Sequence, residues 1–395
     1  MPAGPETYSE LAEAATRWVL AQVRHDDLGP WIPEALTPDA FDAPPAQYRD
    51  GMHSGIGGLG HLLAEVRRHR PWSGDEAALA GAVAERLRAR TEQLDDVTWF
   101  DGLVSDIGVL AALGEPGVEE CVARLLDVTG RGWPDCNDAT LGKAGVLIGA
   151  LDALDAGVET ARPLAEHGVD RLLAEAEETT AGLDWLFMPR HLVGEVVQMP
   201  NYSHGLAGIA AALARAGGTL GRDDAVAAAR LGAEHLKTLG DSSDGVFVVP
   251  RRIPPKEGDE VVTWNWCHGP AGTLALFAAL GEGTWVERCV TSLRTSGIPE
   301  RRRPGFWDND GLCCGTAGVG LAVLPHDPAF AATMADACVE RAVRDGDAAY
   351  WRFVEHRNVE PLLPPGVGWM QGAAGIAAFL FRVARGEELG RGVSP

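Results

Sequence analysis

The chain has 395 residues, 46% hydrophobic and 23% charged, the composition of a globular protein with a large core, which excludes global disorder. Its 34 Lys and Arg against 56 Asp and Glu give a formal charge of −22, a field that argues against nucleic acid and anionic lipid as partners. No run of about 18 apolar residues occurs and the first residues lack the pattern of a secretion signal, so a cytoplasmic protein without membrane insertion is expected.

The first periodic element, Tyr8 to Arg24, spreads charged residues along one face and reads as an outer helix. At Gly55 a different kind of segment begins, GIGGLGHLLAEV, in which Gly-x-x-Gly leads an apolar helical run. After a second outer helix, Ala77 to Leu94, the motif returns in degenerate form as GLVSDIGVLAAL at Gly102 and clearly as GKAGVLIGALDAL at Gly142. It recurs as GLAGIAAALARA at Gly205, GPAGTLALFAAL at Gly269, GTAGVGLAVL at Gly315 and GAAGIAAFLFRVA at Gly372. Asp223 to Leu239 and Pro328 to Arg344 supply further outer helices. The longest stretches between units, Thr179 to Ser203 and Gly240 to Trp266, are rich in Pro, Gly and aromatics, as functional loops often are.

The glycine-led helices are apolar all round and carry small residues, which suits an inner layer surrounded by other helices. Strand alternation and hairpin signals are absent outside short loop pieces such as Gly245 to Val249. An open array of helix pairs needs capping units, whereas closure buries both ends. The expected fold is therefore all-α: an α/α toroid of seven inner and seven outer helices. It forms a single domain over 1–395, with repeat units from about 8 to 385 and a flexible tail at 386–395.

Residues just before each leading glycine lie at the same end of every inner helix and should converge on one rim. They include Asp138, four before Gly142, and His204, one before Gly205. Cys267 and His268 precede Gly269, Cys313 and Cys314 precede Gly315, and Gln371 precedes Gly372. Thiols at helix N-termini are expected to be stabilised as thiolates by the dipole and by unused backbone N–H groups. Three thiols with imidazoles suit zinc, and three protein ligands leave one position open, as in catalytic zinc sites. The other cysteines, Cys121, Cys136, Cys289 and Cys338, lack this alignment and read as packing residues; with seven thiols in all and no export signal, a disulfide framework is not expected.

WNWCHGPAG at Trp264 to Gly272 and GLCCGTAG at Gly311 to Gly318, with NYSHGLAG at Asn201 to Gly208 and DATLGKAG at Asp138 to Gly145, resemble the lanthionine synthetase C family. The resemblance implies a toroid with a central zinc held by Cys267, Cys313 and Cys314, and an acid/base pair of His204 and Asp138. It further implies addition of peptide cysteine thiols to dehydrated Ser or Thr residues of a precursor peptide, giving thioether rings. His268 is a candidate donor to the enolate oxygen. Two features depart from the family pattern: Cys313-Cys314-Gly315 stands where Cys-His-Gly is usual, and Thr263 stands where some members carry Arg. Dehydration is expected from a separate partner.

Other functions compete. The chain could add a small thiol such as glutathione or mycothiol to dehydrated residues, or could be a zinc-containing scaffold without turnover. A glycan-acting toroid would need paired carboxylates, whereas the rim offers Asp138 alone. Trp264, Trp266 and Trp369 read as filling the rim of the core, and the basic runs Arg251-Arg252 and Arg301-Arg302-Arg303 as solvated loop charges or a seat for an acidic leader peptide.

Overall fold

A computed structural model describes residues 3–36, 49–194, 196–258, 260–300, 309–354 and 362–386. The chain divides into two compact units, the first of residues 1–93, 108–117 and 297–395, the second of 94–107 and 118–296. Among the described residues there are fourteen α-helices. Seven are glycine-led: α2 (Ile56–His69), α4 (Leu103–Leu113), α6 (Lys143–Asp155), α8 (Leu206–Leu220), α10 (Pro270–Ala279), α12 (Thr316–Val323) and α14 (Ala373–Arg385). Seven alternate with them: α1 (Pro5–Leu20), α3 (Gly74–Arg90), α5 (Val118–Arg131), α7 (Arg162–Ala174), α9 (Asp223–Leu239), α11 (Gly283–Thr295) and α13 (Pro328–Arg341).

The two sets differ as their sequences require. α8, almost without polar residues, buries eleven of its fifteen residues, so no face is left for water. α9, next along the chain, buries seven of seventeen and turns its charged residues outward. Each glycine-led helix starts one residue after its first glycine, because the preceding loop folds back to satisfy the helix's first N–H groups. The N–H of Ile56 donates to Arg49 O, Leu103 to Asp96 O, Lys143 to Cys136 O, Leu206 to Met199 O, Thr316 to Asn309 O and Ala373 to Gly366 O, each seven residues back. The expectation of unused N–H groups beside Cys313 and Cys314 is thereby corrected: Thr316, Ala317 and Gly318 donate to the carbonyls of Asn309, Asp310 and Gly311.

The second glycine of the motif has a steric cause. A Cβ at Gly208 would sit on the carbonyl oxygen of Tyr202, and one at Gly272 on that of Trp266. Trp266 and Trp369 are buried, as filling of the core requires, while Trp264 is half-buried.

In the first unit the last glycine-led helix returns to the start of the chain: α14 packs against α1 and α2. Glu65 of α2 accepts from Arg382 at 2.7 and 2.9 Å and from Arg385 at 2.5 Å, both on α14. In the second unit, α6, α8 and α10 pack in series, each with its partner α7, α9 or α11.

Four small antiparallel strand pairs among the described residues were not expected from the sequence: β1 (Arg24–Asp26) with β2 (Gly29–Trp31), β3 (Glu177–Glu178) with β4 (Leu183–Asp184), β5 (Val343–Asp345) with β6 (Ala348–Tyr350), and β7 (Phe353–Val354) with β8 (Leu362–Leu363). Two of them shorten expected helices, since α1 ends at Leu20 before β1 and α13 at Arg341 before β5. Gly245 to Val249 forms no strand, and Val248 meets Asp241 in a single antiparallel bridge. Arg301, Arg302, Arg303 and the tail from 387 onward lie outside the described residues. No helix among the described residues is long and apolar enough to cross a membrane.

Candidate thiol and imidazole site

Within the second unit the loops leading into α6, α8 and α10 bring four of the expected residues together. Asp138 is fully buried, and its two oxygens have separate tasks. Oδ1 accepts from the Leu141 N–H at 2.8 Å, which fixes the carboxylate to its own loop. Oδ2 lies 2.6 Å from His204 Nδ1 and accepts from the Thr140 hydroxyl at 3.0 Å. A carboxylate only accepts, so Nδ1 carries the proton of this short bond. Phe187 meets the His204 ring edge-on at 5.7 Å and limits its rotation. Phe187 is held in turn by its carbonyl, which accepts from Asn137 N–H at 3.0 Å.

The His268 ring lies 5.6 Å from that of His204, centroid to centroid. Its Nδ1 is 3.1 Å from Cys267 Sγ, and its backbone N–H donates to Asn265 Oδ1 at 2.9 Å. Cys267 is buried, with Sγ 3.4 Å from Asn265 Oδ1. The loops are locked together at this level, since Ser203 N–H donates to Cys267 O at 3.1 Å. Thr263 is wholly buried and donates its hydroxyl to His268 O at 2.9 Å, so it shapes the Cys267-His268 turn.

Within the first unit, Cys313 and Cys314 place their sulfurs 3.4 Å apart in front of α12. Cys313 is buried and Cys314 half-buried. Cys313 and Cys314 in the first unit and Cys267 in the second each offer a sulfur of the kind that can ligate a metal ion. Three sulfur donors are the set that a borderline cation such as zinc takes, and hard cations such as magnesium do not.

The remaining cysteines behave as packing residues. Burial pushes the Cys136 thiol up to about 12, with the Asp138 charge adding to it, so it stays protonated beside the hydrogen-bonded His204 and Asp138. Burial likewise raises Cys289 and Cys338. Gln371 is half-buried in the turn before α14. Arg251 and Arg252 are half-buried, and Asn201 Nδ2 donates to the Arg251 carbonyl at 2.8 Å; they are part of the loop framework rather than fully solvated charges.

Two residues escaped the sequence reading. Thr140 stands two before Gly142 and hydrogen-bonds the carboxylate of the pair. His53 stands two before Gly55, the position of Cys267 and Cys313 in their repeats. Burial pulls its pKa down, while the charges of Glu34 and Cys314 oppose that shift. The signal that finds both is the phase already used for the cysteines, applied to every repeat.

The model of the lanthionine synthetase C-like protein family matches residues 46–390 of this chain. Among solved structures, nisin cyclase is similar at 14% identity with a TM-score of 0.58, over 86% of this chain and 89% of that one. An α-1,6-mannanase, GH76A from Salegentibacter sp. HEL1_6, aligns at 11% identity and a TM-score of 0.49, over 96% of this chain and 98% of that one. No curated protein matches the sequence. The likeness to nisin cyclase shows the fold class, an all-α toroid of paired helices, as expected from the repeat.

Proposed function

From the premise that this chain belongs to the lanthionine synthetase C-like family, we propose that it is a zinc-dependent cyclase forming thioether rings in a dehydrated peptide. The observation that carries the reading is the His204–Asp138 pair, joined at 2.6 Å and one ring contact away from the thiol and imidazole of Cys267 and His268. Proton-handling and thiol chemistry sit side by side, which thiol addition to an alkene requires and glycan hydrolysis does not.

Cys267, Cys313 and Cys314 would hold the zinc. A free thiol is only about 3% ionised at neutral pH, and zinc bound to it supplies full ionisation there. His268 Nδ1–H, at 3.1 Å, offers the Cys267 sulfur a hydrogen bond, a role that fits its position better than donation to an enolate oxygen. When the substrate sulfur bonds to the β-carbon of the dehydrated residue, the alkene π electrons move onto the α-carbon and its carbonyl. Nε2 of protonated His204 then gives its proton to the α-carbon from one face, and the ring recovers a proton from the next incoming thiol. Asp138 steadies the imidazolium between those events, while Phe187 holds the face from which the proton comes.

Nisin cyclase, by its name, closes rings in a peptide. A peptide substrate is proposed here on the same grounds, with dehydration performed by a separate enzyme and turnover in the cytoplasm. Incubation with a dehydrated, cysteine-containing peptide followed by thiol alkylation tests this. Ring closure removes the alkylatable thiol at constant mass. Gain of the mass of glutathione or mycothiol, with the peptide thiol intact, would transfer the protein to the small-thiol reading.

A further inference from the structure

The residue that follows the leading glycine is Ile56, Leu103, Leu206, Pro270, Thr316 or Ala373 in six of the repeats, and Lys143 in the third. Lys143 is 5% exposed, so a cation is buried in the first turn of α6. The turn itself does not call for a charge. Lys143 N–H donates to Cys136 O at 3.0 Å, and Ile56, Leu103, Leu206, Thr316 and Ala373 make the same backbone bond without one. A buried ammonium is costly to desolvate and needs partners of its own. Nζ donates to Asp135 O at 3.0 Å and to Asn137 Oδ1 at 2.9 Å, with the Glu175 carboxylate 3.7 Å away. Burial lowers the pKa of this ammonium, and the Glu175 charge opposes the shift.

Asn137 passes this contact on. It is buried, its Nδ2 donates to Leu186 O at 3.1 Å, and its backbone N–H donates to Phe187 O at 3.0 Å. An ammonium only donates and a carbonyl only accepts, so the amide has one orientation, Oδ1 toward Lys143 and Nδ2 toward Leu186. Without the lysine the amide can turn over, which sets its oxygen against the Leu186 carbonyl. Two cavities flank this stretch, one of about 340 Å³ lined by Asn137, Leu186, Pro189 and Arg190, the other of about 360 Å³ lined by Lys143 and Pro189 among others. Packing therefore covers it only in part, and the bonds to Asn137 set where it lies. Within it, the Phe187 ring meets His204 edge-on at 5.7 Å.

We infer that Lys143 is a positioning residue for His204: through the Asn137 amide it holds Leu186 and Phe187 in place and so keeps the Phe187 ring against the imidazole. This rests on the cyclase reading, in which His204 delivers a proton from one face.

Two substitutions break the relay at different points. Lys143→Met keeps the apolar stem and removes the donor, whereas Asn137→Ala removes the amide and leaves Lys143 its contacts with Asp135 O and Glu175. The first readout needs no turnover: the His204 ring signals in a carbon–proton correlation spectrum of histidine-labelled, zinc-loaded protein, assigned by their absence in His204→Ala. Phe187→Leu removes the aromatic ring current and marks where those signals fall without it. Both relay variants should move the signals toward that position, and Lys143→Met should leave them unmoved when added to Phe187→Leu. The second readout is ring closure on a dehydrated, cysteine-containing peptide. Here kcat falls roughly tenfold in Lys143→Met with KM within about threefold of native, and Lys143→Met adds no further loss to Phe187→Leu, as residues acting in series require. Unmoved His204 signals, equal shifts with and without Phe187, or rate losses that simply add would each overturn the assignment. Should Lys143→Met not fold, Asn137→Ala is read by the same criteria. Ring formation by the native protein tests the cyclase reading separately: its absence would sink that reading, while the His204 signals still decide whether Lys143 acts through Phe187.

Discussion

His204 is placed by partners that leave its ring one orientation: Asp138 at 2.6 Å, Thr140 at 3.1 Å and Phe187 across its edge. Replacing it with Ala removes the proposed proton donor and should lower the rate of the proposed ring closure by about 10²- to 10⁴-fold, with zinc content unchanged. Racemic protonation of the residual product, read by chiral analysis of the hydrolysed thioether, is the accompanying outcome; undiminished stereoselectivity would remove His204 from the role. Asp138→Asn keeps the shape and loses the charge, so its rate should fall while peptide KM stays near native. That Asp138, His204 and Cys267 come together in the second unit was legible beforehand, because they stand just before the leading glycines of successive repeats. Thr140 was not, since a hydroxyl before a helix reads as a cap, and only the folded chain shows it reaching a histidine 64 residues away.

At the scale of elements, the repeat is a loop that turns its carbonyls onto the first turn of the following helix, and the second glycine is the place where they touch. Gly272→Ala drives a methyl group into the Trp266 carbonyl and the Tyr202 side chain, and should cost about 3 kcal/mol of stability in urea titration. Gly283→Ala, at the start of α11, meets nothing within 4 Å and should be neutral or stabilise by about 0.4–1 kcal/mol. Equal effects of the two would show that helix propensity, not the close approach, explains the glycine. The glycine-led helices were readable because their period and glycines recur, and each starts one residue after its leading glycine; of the alternating helices only α1, α3, α9 and α13 are located in the sequence by their charged faces. The hairpins were not, because strands of two or three residues carry no alternation; α1 and α13 therefore read as longer than they are.

Across the whole molecule, the tie between α2 and α14 joins residues more than three hundred positions apart. Burial pushes the Glu65 carboxyl up, but the charge and hydrogen bonds of Arg382, with Arg68 and Arg385, outweigh it and hold it at about 2. A carboxyl depressed in the folded state contributes stability that is full above its ordinary 4.5 and is lost as pH falls toward 2. Glu65→Gln should therefore flatten the acid limb of the stability curve over that window. At neutral pH it should cost about 3–5 kcal/mol, because the arginines are left without their buried partner. An unchanged acid limb would mean that other carboxylates set it.

The central claim is that three cysteines of this chain hold one zinc ion. Zinc-edge X-ray absorption on purified protein tests it most directly. The account predicts one zinc per chain with three sulfur donors at about 2.3 Å, reduced to two in Cys267→Ser and again in Cys314→Ser. Protein without stoichiometric zinc, or a sulfur count that Cys267→Ser leaves at three, would contradict it.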